Sequence, residues 1–331
     1  GVPREARGCG GVPREARGCG GVPRPSPATG PGCEPRLVDV ILGHSRTLAA
    51  AGIDTPEADS FSLARHALGL SPASLRTTPA AAIAAHLLDL LDRLVALRAL
   101  RIPLQHITGD VGFRHLTLTC APGVFVPRPE TEVLAQVAID RARAAAAERG
   151  RAVLVEPCTG SGAIALSVAH EVGGARVIAT EVDPNAVALA RENLASLTAG
   201  CGLAPGAVCD ILAGDLLAPV PLDLRHEVDV IVANPPYLTP GELAICPPEV
   251  RDHDPPLALL AGDDGHAISD RLLHTSLGWL RVGGALLLEV SEIRAAEVAA
   301  RAAGIGYDDV SVAADLAGRP RVVVASKLRR Q

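Results

Sequence analysis

Past residue 130 the chain falls into a repeating rhythm. Strand-like apolar runs at 152–155, 176–180, 208–212, 228–233 and 285–290 are separated by segments of helical length. A strand followed by a crossover helix returns parallel to its predecessor, whereas antiparallel neighbours need only a short turn. The spacing therefore predicts an α/β domain over 131–331, built on a doubly wound, mainly parallel sheet. Two last runs, 309–313 and 321–325, are joined by a turn containing Gly318 and Pro320 that is too short for a helix. They predict an antiparallel hairpin at one edge, completing seven strands.

The region before this rhythm reads differently. Apolar residues recur at helical spacing through 37–104, as in Phe61, Leu63, Ala64, Ala67 and Leu68, or Leu87, Leu88, Leu91, Leu94 and Leu97. A small helical domain is expected over 34–104. Alternation around Phe113, Leu116 and Leu118, then a Pro-punctuated stretch at 123–129, predicts a hairpin and connecting loop over 105–130. Residues 1–33 carry a ten-residue repeat, GVPREARGCG, too rich in Gly and Pro to bury a face. It is expected to be a disordered tail, read as a translated upstream repeat in preference to an interaction arm.

Composition excludes several classes of function. No apolar run approaches the roughly 20 residues of a membrane span, and nothing resembles a secretory leader, so a cytoplasmic enzyme is expected. The eight cysteines form no CxxC pair and no zinc-finger spacing, so neither a disulfide framework nor a metal centre is implied. The net charge is −6; residues 1–36 carry six Arg and three Glu, which leaves −9 for the rest. That balance argues against a surface made for phosphate backbones.

Two motifs carry chemistry. The first strand of the sheet runs into Glu156-Pro-Cys-Thr-Gly-Ser-Gly162 and then a helix near Ala163. Gly160 and Gly162 permit a sharp turn and close approach to a ligand, and free amides at a helix start suit a nucleotide-type cofactor. The turn is neither a dinucleotide fingerprint nor a Walker loop. The next strand ends at Glu181, an acid placed to accept from ribose hydroxyls, with Asp183 as rival; the third ends in Gly214-Asp215.

The fourth strand ends in Asn234-Pro-Pro-Tyr237, at the carboxyl edge where open α/β sheets bind ligands. A planar amide or amino group about to be alkylated needs acceptors for both its hydrogens. Asn234 Oδ1 and a prolyl carbonyl can supply them. Pro235 and Pro236 stiffen the loop and Tyr237 can stack on a flat target, so the tetrapeptide reads as a preorganised clamp.

At these residues the chain resembles class I S-adenosylmethionine methyltransferases that act on amino groups, and within them the HemK/PrmC family of protein-(glutamine-N5) methyltransferases. The family markers appear in order: Pro103-Leu-Gln-His-Ile-Thr-Gly109, Gly123-Val-Phe-Val-Pro-Arg-Pro-Glu-Thr-Glu132, Thr159-Gly-Ser-Gly162, Asn234-Pro-Pro-Tyr237, and Asp252-His-Asp-Pro-Pro with Gly262 and Gly265. Asn-Pro-Pro-Tyr alone is shared with adenine-modifying DNA enzymes and some RNA enzymes; the Pro-Arg-Pro-Glu-Thr-Glu stretch separates the glutamine branch from them.

The resemblance implies the class I methyltransferase fold, S-adenosylmethionine as cofactor without a metal, and a peptide chain release factor as protein substrate, methylated on its Gly-Gly-Gln glutamine. It implies that Cys158, Thr159, Gly160, Ser161 and Gly162 line the methionine end of the cofactor and Glu181 its ribose. Asp215 and Leu216 would lie near the adenine. Asn234, Pro235, Pro236 and Tyr237 would bind the glutamine, with Asn234 catalytic and also close to the cofactor, and the helical N-terminal domain would help hold the protein substrate. Gly283-Gly284 and Gly318-Arg319 look like the family's late turns. The chain departs from the pattern at Glu156-Pro157, where the family usually has Asp, at Leu216, where an aromatic is common, and near Arg294, where a glutamine is common and the sequence offers no physical account. Other readings are a ribosomal protein glutamine as target, an adenine amino group on a flipped base, and a non-catalytic binding module.

Overall fold

A computed structural model describes residues 35–329; the expectation about the 1–33 repeat falls on residues outside that range. Helices α1 (Leu37–Ala50), α2 (Pro56–Leu68), α3 (Pro72–Thr77) and α4 (Ala85–Ala99) lead the described chain. They close around their own core, in which Leu37, Ile41, Leu48, Leu63 and Leu91 are fully buried. Two of these helices begin with proline, whose missing N–H costs nothing at a position with no intrahelical acceptor. A short α5 (Leu104–Thr108) leads into the hairpin β1 (Asp110–Phe113) and β2 (Leu116–Thr119), which buries Phe113, Leu116 and Leu118.

The remainder alternates as its pattern predicts: α6 (Thr131–Arg149), β3 (Ala152–Pro157), α7 (Ala163–Glu171), β4 (Ala175–Glu181), α8 (Pro184–Ala199), β5 (Val208–Ala213) and β6 (Val228–Ala233). Three short helices follow, α9 (Pro240–Ala244), α10 (Pro248–Arg251) and α11 (Pro256–Leu259), and then α12 (Ala267–Ser276), β7 (Leu280–Glu289), α13 (Ala295–Ile305), β8 (Asp309–Ala314) and β9 (Pro320–Ser326). The sheet has seven strands in the order β5-β4-β3-β6-β7-β9-β8. The strands from β5 through β7 are parallel; β9 runs antiparallel between β7 and the edge strand β8. Central β3 and β6 are buried at every residue and apolar except for Glu156 and Asp229, whereas edge strand β5 is half exposed. One large core fills each face of the sheet.

One expectation needs correcting. Gly283-Gly284 is not a turn: β7 begins at Leu280, and the pair lies inside it, where the register with β6 shifts between Val228 and Val230. Gly283 has φ +87°, and a Cβ on Gly284 would sit 2.8 Å from the Val228 carbonyl oxygen. Glycine is needed there because the two backbones approach too closely for a side chain.

The chain order fixes where a ligand can bind. From β3 it winds outward through β4 and β5, then returns to start the other half at β6. The crevice above the carboxyl ends of β3 and β6 is the switch point of the sheet.

Candidate active site

A cavity of about 510 Å³ opens at that switch point. Its wall contains Cys158, Thr159, Gly160, Ser161, Glu181, Asp215, Leu216, Asn234, Pro235, Pro236 and Tyr237, so eleven of the twelve residues singled out from the sequence meet in one space. Gly162 is not in that wall. It caps α7 at φ +90°, and a Cβ there would come within 3.1 Å of Leu166, so its smallness serves helix packing.

The glycine-turn side of the cavity is tied together locally. Glu156, 2% exposed, accepts from the Thr159 hydroxyl at 2.6 Å and from the Ala165 amide at 2.7 Å, bracing the glycine turn against the start of α7. Burial is the main cause that pushes its carboxyl up to about 8, against the pull of those two hydrogen bonds. The Glu-Pro departure thus retains a working brace. Glu181 Oε2 accepts from the Gly160 amide at 2.9 Å, and Oε1 from the amides of Val182 and Asp183 at 2.8 and 3.0 Å. A carboxylate offers about four acceptor positions, so one remains, on Oε2, for a hydroxyl. Asp183 is engaged elsewhere, capping α8 through the Asn185 amide at 2.8 Å. At the far end Asp215 pairs with Arg271, a cavity residue that the sequence did not flag. Ser161 Oγ is buried with no hydrogen-bond partner among the described residues. Such an orphan hydroxyl in the glycine turn fits a site that meets a polar ligand.

The side around the Asn-Pro-Pro-Tyr loop is assembled from distant segments. The cavity wall adds Phe125 and Arg128 of the connecting loop, Thr131 at the start of α6, Leu257 to Leu259 of α11, and Arg321 of β9. Arg128 stacks over the Phe125 ring at 5.0 Å and pairs with buried Asp254. In the Asn-Pro-Pro-Tyr loop, Asn234 Nδ2 donates to the Thr131 hydroxyl at 3.2 Å. Glu289, at the end of β7 and 3% exposed, lies behind the pair. Burial raises its carboxyl to about 7, opposed by hydrogen bonding from Thr131 and Asn234 and by the charge of Arg321, while Glu130 adds to the rise. Burial, and then the charge of Glu289, raise the Tyr237 phenol above its ordinary value.

Arg294 now has a physical role. Its guanidinium spans Glu242 at 2.9 and 3.0 Å and donates to the carbonyls of Tyr237 and Asp264 at 3.4 and 3.0 Å. Glu242 closes a capping box with Thr239 at the start of α9. Together they hold the exit of the Asn-Pro-Pro-Tyr loop, and Gly265 is packed so closely that a Cβ would lie 2.7 Å from the Tyr237 carbonyl oxygen. A second ion cluster ties the N-terminal helices to this roof: Arg98 pairs with Asp59 and Glu249 at 2.7 Å each, and Arg101 with Glu249 at 2.6 Å.

Comparison with known proteins gives the same picture. Residues 41–109 match the PrmC N-terminal domain, and residues 117–245 the methyltransferase small domain. The release factor glutamine methyltransferase of Mycolicibacterium smegmatis is 41% identical over 301 residues, covering 89% of this chain and 99% of its own length. The chain belongs to the release factor glutamine methyltransferase family. The Streptomyces coelicolor member is 39% identical over 292 residues, covering 88% of this chain and 98% of its own. The Deinococcus radiodurans member is 36% identical over 296 residues, with coverage of 88% and 99%. Residues of this methyltransferase that the sequence reading passed over, such as Thr131, Arg271 and Arg321, lie in segments other than the glycine turn and the Asn-Pro-Pro-Tyr loop. Thr131, like Phe125 and Arg128, had a signal, lying inside the marker that runs from Gly123 to Glu132.

Proposed function

We propose that this methyltransferase moves a methyl group from S-adenosylmethionine to the side-chain amide nitrogen of the Gly-Gly-Gln glutamine of a peptide chain release factor, in the cytoplasm, where translation terminates. The observation that carries the reading is the single cavity joining the glycine turn, Glu181 and the Asn-Pro-Pro-Tyr loop, in a chain of this family.

The cofactor would be held by Cys158 to Ser161 at its methionine end, by Glu181 at the ribose and by Asp215 and Leu216 around the adenine. S-adenosylmethionine supplies an activated methyl group on a sulfonium centre. What remains for the chain is alignment. An amide nitrogen is a poor nucleophile because its lone pair is delocalised into the carbonyl. Asn234 Oδ1 and the Pro235 carbonyl accept its two hydrogens, which favours pyramidal nitrogen and stabilises positive charge as it develops there. With Asn234 Nδ2 committed to Thr131, Oδ1 is the face left for the substrate. Pro235 and Pro236 are buried and stiff, and Tyr237 offers a flat ring for the glutamine amide. The helical N-terminal domain, tied to the cavity roof through Glu249, provides a surface for the body of the protein substrate.

The deciding experiment is transfer of labelled methyl from S-adenosylmethionine to purified release factor, beside a variant lacking the Gly-Gly-Gln glutamine and beside duplex DNA. Label on the wild-type factor alone is expected. Label on DNA would replace the reading with adenine methylation, and label on neither would reject it.

A further inference from the structure

Behind the clamp stands a carboxyl group that the reaction as described does not use. Glu289 ends β7, the neighbour of β6 from which the Asn-Pro-Pro-Tyr loop springs. It is absent from the cavity wall, yet it interacts with both Thr131 and Asn234, and its Oε2 is buried without a hydrogen-bond partner among the described residues. Thr131 is 4% exposed and accepts from Asn234 Nδ2 at 3.2 Å. A hydroxyl has one hydrogen to give. If its oxygen receives the Asn234 amide, its proton is free for a neighbouring carboxylate.

We propose that Glu289, acting through Thr131, is a positioning residue that fixes which end of the Asn234 amide faces the substrate. This rests on the proposed glutamine methylation and extends it. A carboxylate can only accept, so it draws the Thr131 proton, turns the hydroxyl oxygen toward Asn234 Nδ2, and leaves Oδ1 aimed into the cavity. Reversing the chain would present an NH₂ group to the substrate NH₂, donor against donor. Glu289 in its protonated form can donate to Thr131 instead, freeing the Thr131 proton for Asn234 Oδ1 and favouring the reversed amide.

The groups facing Glu289 come from three segments: Thr131 of α6 with Glu130 just before it, Asn234 and Tyr237 of the loop after β6, and Arg321 of β9. Arg321 favours the anion and Glu130 opposes it. With burial dominant, the carboxyl titrates near 7, so the proportion with Oδ1 correctly presented falls as pH drops through neutrality.

The test is steady-state kinetics on release factor at saturating S-adenosylmethionine, from pH 6 to 8.5, for wild type, Thr131→Val, Thr131→Ser and Glu289→Gln, with cofactor affinity measured by calorimetry. Thr131→Val, which keeps the shape and loses the hydroxyl, is expected to lower kcat about tenfold or more, the scale on which misaligned reacting groups lose rate, with cofactor affinity unchanged. Thr131→Ser should restore most of it. Wild-type kcat should rise with pH through about 7, and Glu289→Gln should flatten that rise. Thr131→Val within twofold of wild type, or an unaltered pH profile in Glu289→Gln, would overturn this inference while leaving glutamine methylation standing. Failure of the wild-type enzyme to label release factor would overturn both.

Discussion

The two walls of the cavity are built in opposite ways. The wall around the glycine turn, the proposed cofactor side, is local: Glu156, Thr159 and Ala165 lie within ten residues of one another, and Glu181 reaches only to the next strand to hold Gly160. The wall around the Asn-Pro-Pro-Tyr loop, the proposed substrate side, is gathered from afar, since Asn234 is bonded to Thr131 across 103 residues and Arg294 spans 52 to hold Glu242. A local turn can be braced by its own side chains as soon as strand and helix form. A clamp for a protein side chain must be shaped from several loops, and its geometry depends on the whole sheet. Damage to the first wall should appear as cofactor affinity and damage to the second as turnover or protein-substrate binding.

The largest expected effect sharpens that separation. Asn234→Ala should cut kcat on the order of 10²-fold, as expected for loss of a hydrogen bond that strengthens in the transition state, while calorimetry shows cofactor binding little changed. Near-normal turnover would remove the clamp from the mechanism. Next comes Glu181→Ala, which should weaken S-adenosylmethionine binding by about tenfold, the value of one charge-assisted hydrogen bond, with kcat at saturating cofactor largely kept. A selective loss of turnover instead would break the division between the walls. Arg294→Ala should raise KM for release factor by about fivefold, equivalent to about 1 kcal/mol for a partly exposed ion pair, without altering cofactor affinity.

The smallest effect is on stability. Folded Glu156 holds its proton up to about pH 8, against 4.5 for the ordinary carboxyl. The folded state therefore binds more protons between those limits, and this group's contribution to stability declines as pH rises through them. Glu156→Gln should make Tm, followed by calorimetry from pH 5 to 8, fall less steeply; Glu289, raised for the same reason, leaves a residual slope. A slope identical to wild type would show that the buried carboxyl is ionised and compensated.

The glycine turn, the acid ending β4 and the Asn-Pro-Pro-Tyr loop were legible because each sits where a strand ends, and strand ends are marked by the change from an apolar run to Gly, Pro or a charged residue. Helical periodicity likewise marked the N-terminal domain, for burial of one face leaves its trace at every third or fourth position. Gly283-Gly284 misled because glycine signals a turn and a close backbone contact alike; only the neighbouring strand, bringing the Val228 carbonyl to within 2.8 Å of any added Cβ, decides between them.

By itself the sequence determined the order of the elements, the seven strands with their final hairpin, and the family, since local patterning and short motifs are written in consecutive residues. Tertiary structure decided that Glu289 stands behind Asn234, that Arg294 holds the loop exit, that Glu249 joins the helical domain to the cavity roof, and that Gly162 packs closely against Leu166. Periodicity records that a side chain is buried and leaves unwritten what it is buried against; that depends on strand order and register, which place residues a hundred positions apart within a hydrogen bond of each other.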